Sequence, residues 1–121
     1  PLATFTGWNL RHREAGASEV LLASPNRWAL MHELRGAPEP PLSELLGKLS
    51  PVDLILIEGY KREPHPKIEA HRAETGKPLL SPDNSSIRAV AADSAVETAL
   101  PRFDLDDTRG VADFILREVG L

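Results

Sequence analysis

The chain has 121 residues, 41% of them hydrophobic, which is enough for one modest core and too little for two ordinary domains. Its 14 basic and 18 acidic residues give a formal net charge of -4, so generic binding to nucleic acid or to an anionic membrane surface is excluded. The sequence has no cysteine, which excludes disulfides, thiolate metal sites and cysteine nucleophiles and fits the reducing cytoplasm. We expect a soluble, cytoplasmic domain over residues 1–121.

The first part of the chain predicts a strand, the end of a helix and a β-hairpin. Leu2–Phe5 is apolar and is broken by Thr6-Gly7, which predicts a short strand running into a loop. Leu10–Ala15 predicts the last turns of a helix, with Gly16 as a left-handed C-cap. Two apolar runs of strand length flank a turn that contains proline: Val20–Ala23 and Trp28–Met31.

The second part of the chain alternates helices and strands. Leu42–Leu49 has the i, i+3, i+4, i+7 spacing of an amphipathic helix, and Asp53–Glu58 predicts a central strand that is covered on both faces. Lys67–His71 predicts a half-exposed strand and Ile87–Ala92 a buried one. A terminal helix is expected to begin at Asp106-Asp107. This alternation favours an α/β fold with a mostly parallel sheet.

Glu58 is the main candidate for chemistry, because ligands of parallel α/β sheets gather at the carboxyl ends of strands. An acid at that position can hold a magnesium-bound water, Gly59 permits close approach, and Lys61 could face a phosphate. The alternative is that Glu58 only caps a neighbouring helix or pairs with Lys61.

Asp93 and a basic turn are weaker candidates. The Asp93 carboxylate, at the end of an apolar strand, could accept the N1 and N2 hydrogens of guanine, or it could simply stabilise a turn. The turn Arg11-His12-Arg13 could clamp a phosphate, or its cations could complement the dipole at the end of a helix.

One face of the predicted strand Lys67–His71 invites a metal interpretation, which we rank last. His65, Lys67, Glu69 and His71 alternate along it, but their spacing is unlike that of common zinc sites, and a solvated polar face is the simpler interpretation. No G-x-x-x-x-G-K-[ST] motif occurs in the sequence.

Several blocks of sequence, taken in order, resemble one family. Together they are more specific than any single motif. The blocks are Arg11–Ala17, Arg27–Gly36, Asp53–Lys61, Pro64–Glu69 and Leu100–Asp107. From Leu10 to the C-terminus the chain is similar to the bacterial molybdopterin-guanine dinucleotide biosynthesis adaptor family, MobB.

The resemblance implies a P-loop nucleoside-triphosphatase fold with a β-hairpin extension. It also implies a GTP-binding adaptor in molybdenum-cofactor synthesis that uses Mg²⁺, forms a homodimer and assists the molybdenum cofactor guanylyltransferase, with weak hydrolysis at most. By resemblance, Glu58 is the acid of a Walker-B-like strand and binds the metal. The cofactor-binding residues would be Gly7, Arg11, Gly59, Lys61 and Asp93.

The chain departs from this family at Thr6-Gly7-Trp8, which is similar to the entry to the phosphate loop, whereas Leu10 already matches a region well downstream. We hypothesise that the phosphate loop, its helix and the next strand are missing between Trp8 and Leu10, by deletion or by a gap closed up in the numbering. Residues 1–8 would then be a remnant of the first strand and residues 10–121 the remainder. The alternative function is a dimerisation or partner-binding module that binds no nucleotide.

Overall fold

The structure is a computed structural model that describes the backbone of residues 6–121 and the side chains from Leu10 onward. It divides into two compact units, Pro1–Leu54 and Ile55–Leu121. The strand predicted at Leu2–Phe5 lies outside the described residues, and the single domain over residues 1–121 stays a prediction. Within the described range, no helix is both long enough and apolar enough to cross a membrane.

The first unit begins with helix α1, Thr6–Glu14. The predicted loop at Thr6-Gly7 is therefore wrong, and glycine is tolerated here because it lies in the first turn rather than in the helix interior. The predicted C-cap is confirmed, since Gly16 has a φ of 102°. Beyond it, the amide of Ala17 donates to the carbonyl of His12 at 3.1 Å, as in a Schellman motif. Trp8 and Leu10 both lie in this helix. The loss of a segment between them stays a hypothesis.

The predicted hairpin is confirmed. Strands β1, Glu19–Ala23, and β2, Trp28–His32, pair in antiparallel register. Because side chains alternate between the two faces, Val20 is buried while the opposite face carries large exposed apolar groups. The exposed apolar residues of the hairpin are Leu21, Trp28 and Leu30.

Helix α2, Leu42–Leu46, is shorter than the predicted Leu42–Leu49. It begins after Pro41, where the fixed φ of proline suits a helix start. It ends at Gly47, and none of its residues is fully buried. Its apolar spacing continues beyond Gly47, but too little covers that side to hold a longer helix.

The second unit is a three-stranded sheet in the order β3-β4-β5, with both pairs parallel. Strand β3 is Lys67–His71, strand β4 is Ile87–Ala92 and strand β5 is Arg102–Asp104. The first two strands and the parallel arrangement confirm the α/β prediction, whereas β5 is too short for a periodic pattern and was not predicted.

The core of the second unit centres on β4. Ala89, Val90 and Ala92 are completely buried, and β4 is the central strand, paired with β3 on one side and with β5 on the other. Helix α3, Thr108–Val119, begins at the predicted cap: an oxygen of the Asp107 carboxylate accepts the amide of Gly110 at 2.9 Å. Two aromatic rings join α3 to β5, with 5.5 Å between the centroids of Phe103 and Phe114.

The central strand predicted at Asp53–Glu58 is wrong. This segment forms no strand, and it is not a member of either described sheet. Leu56 is 72% exposed and Ile55 is 40% exposed, although both were expected in the core. A strand needs a neighbour to bond its amides and carbonyls, and nothing in the described sheets supplies one.

The alternation predicted for β3 is also wrong, because Glu69 is the buried residue and Ala70 is exposed. The Glu69 carboxylate accepts the amides of Leu80 at 2.6 Å and Ser81 at 2.9 Å. These charge-assisted bonds offset the cost of burying the carboxylate. They tie β3 to the loop before β4, which contains the short 3₁₀ turns Ala73–Thr75 and Ser81–Asp83.

Replacing Glu69 with glutamine is expected to lower the free energy of unfolding by about 2 kcal/mol, since the two backbone amides face different oxygens and glutamine replaces one oxygen by an NH₂ group that cannot accept. The matched control is Glu74→Gln on an exposed turn, which should change stability by less than about 0.5 kcal/mol. Urea unfolding should be followed by far-UV circular dichroism, because both tryptophans lie in the first unit. Equal stability of the two variants would contradict the role assigned to Glu69.

Candidate functional site at the carboxyl edge of the sheet

The carboxyl ends of the three parallel strands form the edge where α/β sheets bind ligands. Asp93 follows β4 on this edge, as predicted. Its backbone amide donates to the carbonyl of His71 at 3.3 Å, and its side-chain Oδ1 accepts the amide of Ala73 at 2.9 Å. Asp93, which follows β4, therefore fixes the turn that follows the neighbouring strand β3.

A second polar contact on this edge belongs to Arg102. Its Nη2 donates to the carbonyl of Ser94 at 2.9 Å and to Oδ1 of Asp104 at 3.0 Å. The guanidinium thereby links the segment after β4 to the end of β5. Because the pair is partly exposed, it contributes little stability and serves mainly to orient the two loops.

The geometry of Asp93 agrees with the turn-stabilising interpretation. A carboxylate offers about four lone-pair sites, so the bond from Ala73 leaves acceptor capacity on an exposed side chain. The guanine-binding role of Asp93 stays a prediction.

Glu58 does not end a strand. Its side chain is exposed, and no hydrogen bond or ion pair of its carboxylate is found among the described residues, so the alternative pairing with Lys61 is not seen. The following residue, Gly59, has a φ of 85°, and a Cβ there would meet no atom within 4 Å. The backbone conformation is therefore the reason for glycine at this position.

Lys61 is fixed at the other end of the sheet from Asp93. Its carbonyl accepts Nδ2 of Asn84 at 3.4 Å, and Asn84 precedes β4 whereas Asp93 follows it. The six residues of β4 are separated by five rises of about 3.3 Å each, which place roughly 17 Å between its two end residues. The structure therefore does not bring Lys61 and Asp93 into one site.

The two remaining site residues belong to the first unit. Gly7 lies in α1, and Arg11 is exposed in its last turn without a described side-chain partner. The neighbouring Arg13 forms an ion pair with Glu33, and Arg35 donates to the carbonyl of Arg13 at 2.9 Å. Cations around the helix C-terminus thus match the dipole interpretation.

The metal interpretation of the β3 face finds no support in the structure. Among the described residues, no three acids or histidines are grouped as ligands for a metal ion. Glu69 is already bonded to two amides, and the Lys67 ammonium is bonded to two carbonyls and a hydroxyl.

A cleft of about 880 Å³ lies at the amino ends of β4 and β5, opposite to Asp93. Its lining includes Ile87, Arg88, Leu100, Phe114 and Glu118. None of the site residues predicted from the sequence lines it.

The sequence-based interpretation missed two polar side chains that organise the second unit, Lys67 and Glu69. Both lie on the same face of β3, which we predicted to be exposed to solvent because its residues are charged or polar. The available signal was the proline- and glycine-rich loop on each side of β3, whose backbone groups need partners when they are buried.

Comparisons with known proteins point to one family over most of the chain. The sequence profile of the family described as molybdopterin guanine dinucleotide synthesis protein B matches residues 8–93. Two curated proteins, each named molybdopterin-guanine dinucleotide biosynthesis adapter protein, are similar. The Haemophilus influenzae protein is 40% identical over 108 residues, and the Escherichia coli protein is 36% identical over 107 residues.

The alignments cover 87% and 86% of this chain but 58% and 61% of those two proteins. The chain thus spans about three fifths of the length of these relatives. Among solved structures, a MobB protein homolog from Bacillus stearothermophilus matches with a TM-score of 0.62 and 26% identity, over 97% of this chain and 88% of the other.

A second solved structure, of molybdopterin-guanine biosynthesis protein B, gives a TM-score of 0.61 at 24% identity. It covers 94% of this chain and 74% of its own and supports the fold alone. The profile match extends over more than two thirds of the sequence and includes the hairpin, the Asp53–Lys61 block and Asp93. The chain belongs to the molybdopterin guanine dinucleotide synthesis protein B family.

Proposed function

We propose that this chain acts as an adapter in the synthesis of molybdopterin guanine dinucleotide, in the cytoplasm, and that it works through protein contacts rather than through a bound nucleotide. Family membership and the printed names of two relatives support the pathway. The single observation that carries the second part is the exposure of Ile55, Leu56 and Glu58, which belong to neither described sheet.

GTP and Mg²⁺, which the resemblance implies, fit the residues of this chain poorly. A phosphate loop supplies a cradle of backbone amides, a lysine for the phosphates and a hydroxyl for the metal, and the sequence contains no segment of that pattern. Glu58 is exposed and makes no contact with Lys61, and Lys61 is held at the opposite end of β4 from Asp93. We therefore assign no GTPase activity to this chain.

The contact surface for the guanylyltransferase is, in this proposal, the apolar segment that begins the second unit. Ile55 and Leu56 are exposed, and their backbone is unpaired in the described sheets. An unpaired extended segment with apolar side chains can bond to the edge of a partner's sheet and bury those side chains there.

The hairpin provides a separate surface for the homodimer. Leu21 and Leu30 are directly paired across the strands and are 63% and 53% exposed, and Trp28 on the same face is 71% exposed. A continuous apolar stripe of this kind marks an interaction site. The hydrogen bond between Nδ1 of His32 and Oε1 of Glu19, at 3.0 Å, borders the stripe on the same face.

Mixing the chain with the guanylyltransferase tests the proposed function. A complex is expected with and without magnesium-GTP, with dissociation constants equal within about twofold, because no nucleotide-dependent contact is involved. Leu56→Ser should weaken the complex by at least about tenfold, since it removes a large apolar contact. Leu121→Ser, at a leucine elsewhere in the unit that is 59% exposed against 72% for Leu56, is the control.

An absolute need for GTP, or an unaltered affinity of the Leu56→Ser variant, would overturn the proposal. Calorimetry or sedimentation velocity gives the affinity in each case.

Sedimentation equilibrium tests the homodimer. The unaltered chain should dimerise, and the double variant Leu21→Thr/Leu30→Thr should dissociate at least about tenfold more readily, because threonine keeps the strand propensity and loses apolar contact area. Val119→Thr, at an exposed position in α3, is the matched control and should leave the dimer intact. A monomer in the unaltered chain would show that the stripe has another role.

A further inference from the structure

Among the described residues, Lys67 is the lysine whose ammonium is surrounded by protein acceptors. It opens β3 and is half-buried. Its Nζ donates to the carbonyls of Glu63 and His65, the latter at 2.9 Å, and to Oγ of Ser86 at 3.0 Å. An ammonium has three N–H donors, so these three acceptors saturate it, and Lys67 has none left for a phosphate or a metal-bound anion.

The three acceptors belong to two different loops. Glu63 and His65 lie in the turn before β3, and Ser86 immediately precedes β4. Oγ of Ser86 in turn donates to Oδ1 of Asn84 at 2.6 Å, and Nδ2 of Asn84 donates to the carbonyl of Lys61 at 3.4 Å. These contacts close a ring that joins the turn to the start of the buried strand.

The turn held in this way has an unusual backbone. Gly59 and Tyr60 are both left-handed, with φ values of 85° and 48°, and the amide of Glu63 donates to the carbonyl of Tyr60 at 3.1 Å. A left-handed backbone is strained in a residue other than glycine, so such a turn persists only where its surroundings fix it. The Lys67 ammonium is the charged group that binds two carbonyls of this turn.

We propose that Lys67 is a positioning residue: its ammonium holds the turn Tyr60–His65 against the start of β4 and thereby sets the course of the segment Ile55–Lys61 that leads into β3. The effect on partner binding rests on the proposed function, because that segment is the suggested contact with the guanylyltransferase. The effect on the turn itself does not.

The absence of cysteine allows a substitution that changes only the charge. Lys67→Cys can be alkylated in the unfolded state with 2-bromoethylamine, which restores a side chain of lysine length and charge, or with 1-bromopropane, which gives the same shape without the ammonium. After refolding, amide exchange is measured by NMR at Glu63 in the turn and at Ala91 in β4 as an internal control.

The propyl form should exchange the Glu63 amide at least about tenfold faster than the unaltered chain, and the aminoethyl form should restore protection to within about threefold. Ala91 should remain protected in both. Guanylyltransferase affinity should fall and recover in parallel. Unchanged exchange at Glu63 in the propyl form, or failure of the aminoethyl form to restore it while Ala91 is protected, would overturn the positioning role.

A measurement on the unaltered chain keeps the proposal testable if the propyl form does not fold. The ammonium protons of Lys67 should exchange with water at least about tenfold more slowly than those of the exposed Lys77 in proton–nitrogen NMR spectra. Equal exchange rates would overturn the proposal. If the turn responds as expected and the enzyme does not bind, only the proposed function fails.

Discussion

Pairing of β4 on both of its sides is the interaction on which the second unit depends. Ile87 and the four residues 89–92 of this strand are buried, and several loops of the unit are bound near its two ends. At the amino end, Lys67 binds the turn before β3, and Glu69 on the same strand binds the loop before β4. At the carboxyl end, Asp93 binds the turn after β3. In each case a charged side chain supplies the hydrogen bonds that an irregular backbone cannot make for itself.

The contrast between β4 and Asp53–Glu58 shows why an apolar run alone does not predict a buried strand in this sequence. Both segments are continuous apolar runs, and both were predicted as buried strands. Ile87–Ala92 has two neighbours and is buried, whereas Asp53–Glu58 has none in the described sheets and leaves Leu56 exposed. Apolar sequence specifies a tendency to be buried, but a strand also requires a partner elsewhere in the chain.

Local signals were sufficient where the structure is local. The hairpin, the left-handed Gly16 and the Asp107 cap depend on residues a few positions apart, and all three were predicted correctly. Glu69 was misassigned because its amide donors lie 11 and 12 residues away, in a loop whose course no periodicity reveals. Asp93 was correctly placed at a strand end, since that position follows from the strand itself.

The family was recognised from ordered blocks of residues, and the profile and curated relatives confirm it. The blocks did not determine chemistry, because a nucleotide site needs several elements at one edge of the sheet. Here Glu58 is exposed on an unpaired segment, and the backbone of Lys61 is bound at the amino end of β4 while Asp93 lies beyond its carboxyl end. A fold can thus retain family sequence while the parts of a site are separated.

The proposal that this chain works without nucleotide is tested most directly by a calorimetric titration of the chain with GTP in the presence of Mg²⁺. We predict no saturable binding up to about 1 mM nucleotide, an affinity no stronger than about -4 kcal/mol. Saturable binding in the micromolar range that requires Mg²⁺ and is lost in Glu58→Gln would contradict the proposal that this chain acts without nucleotide.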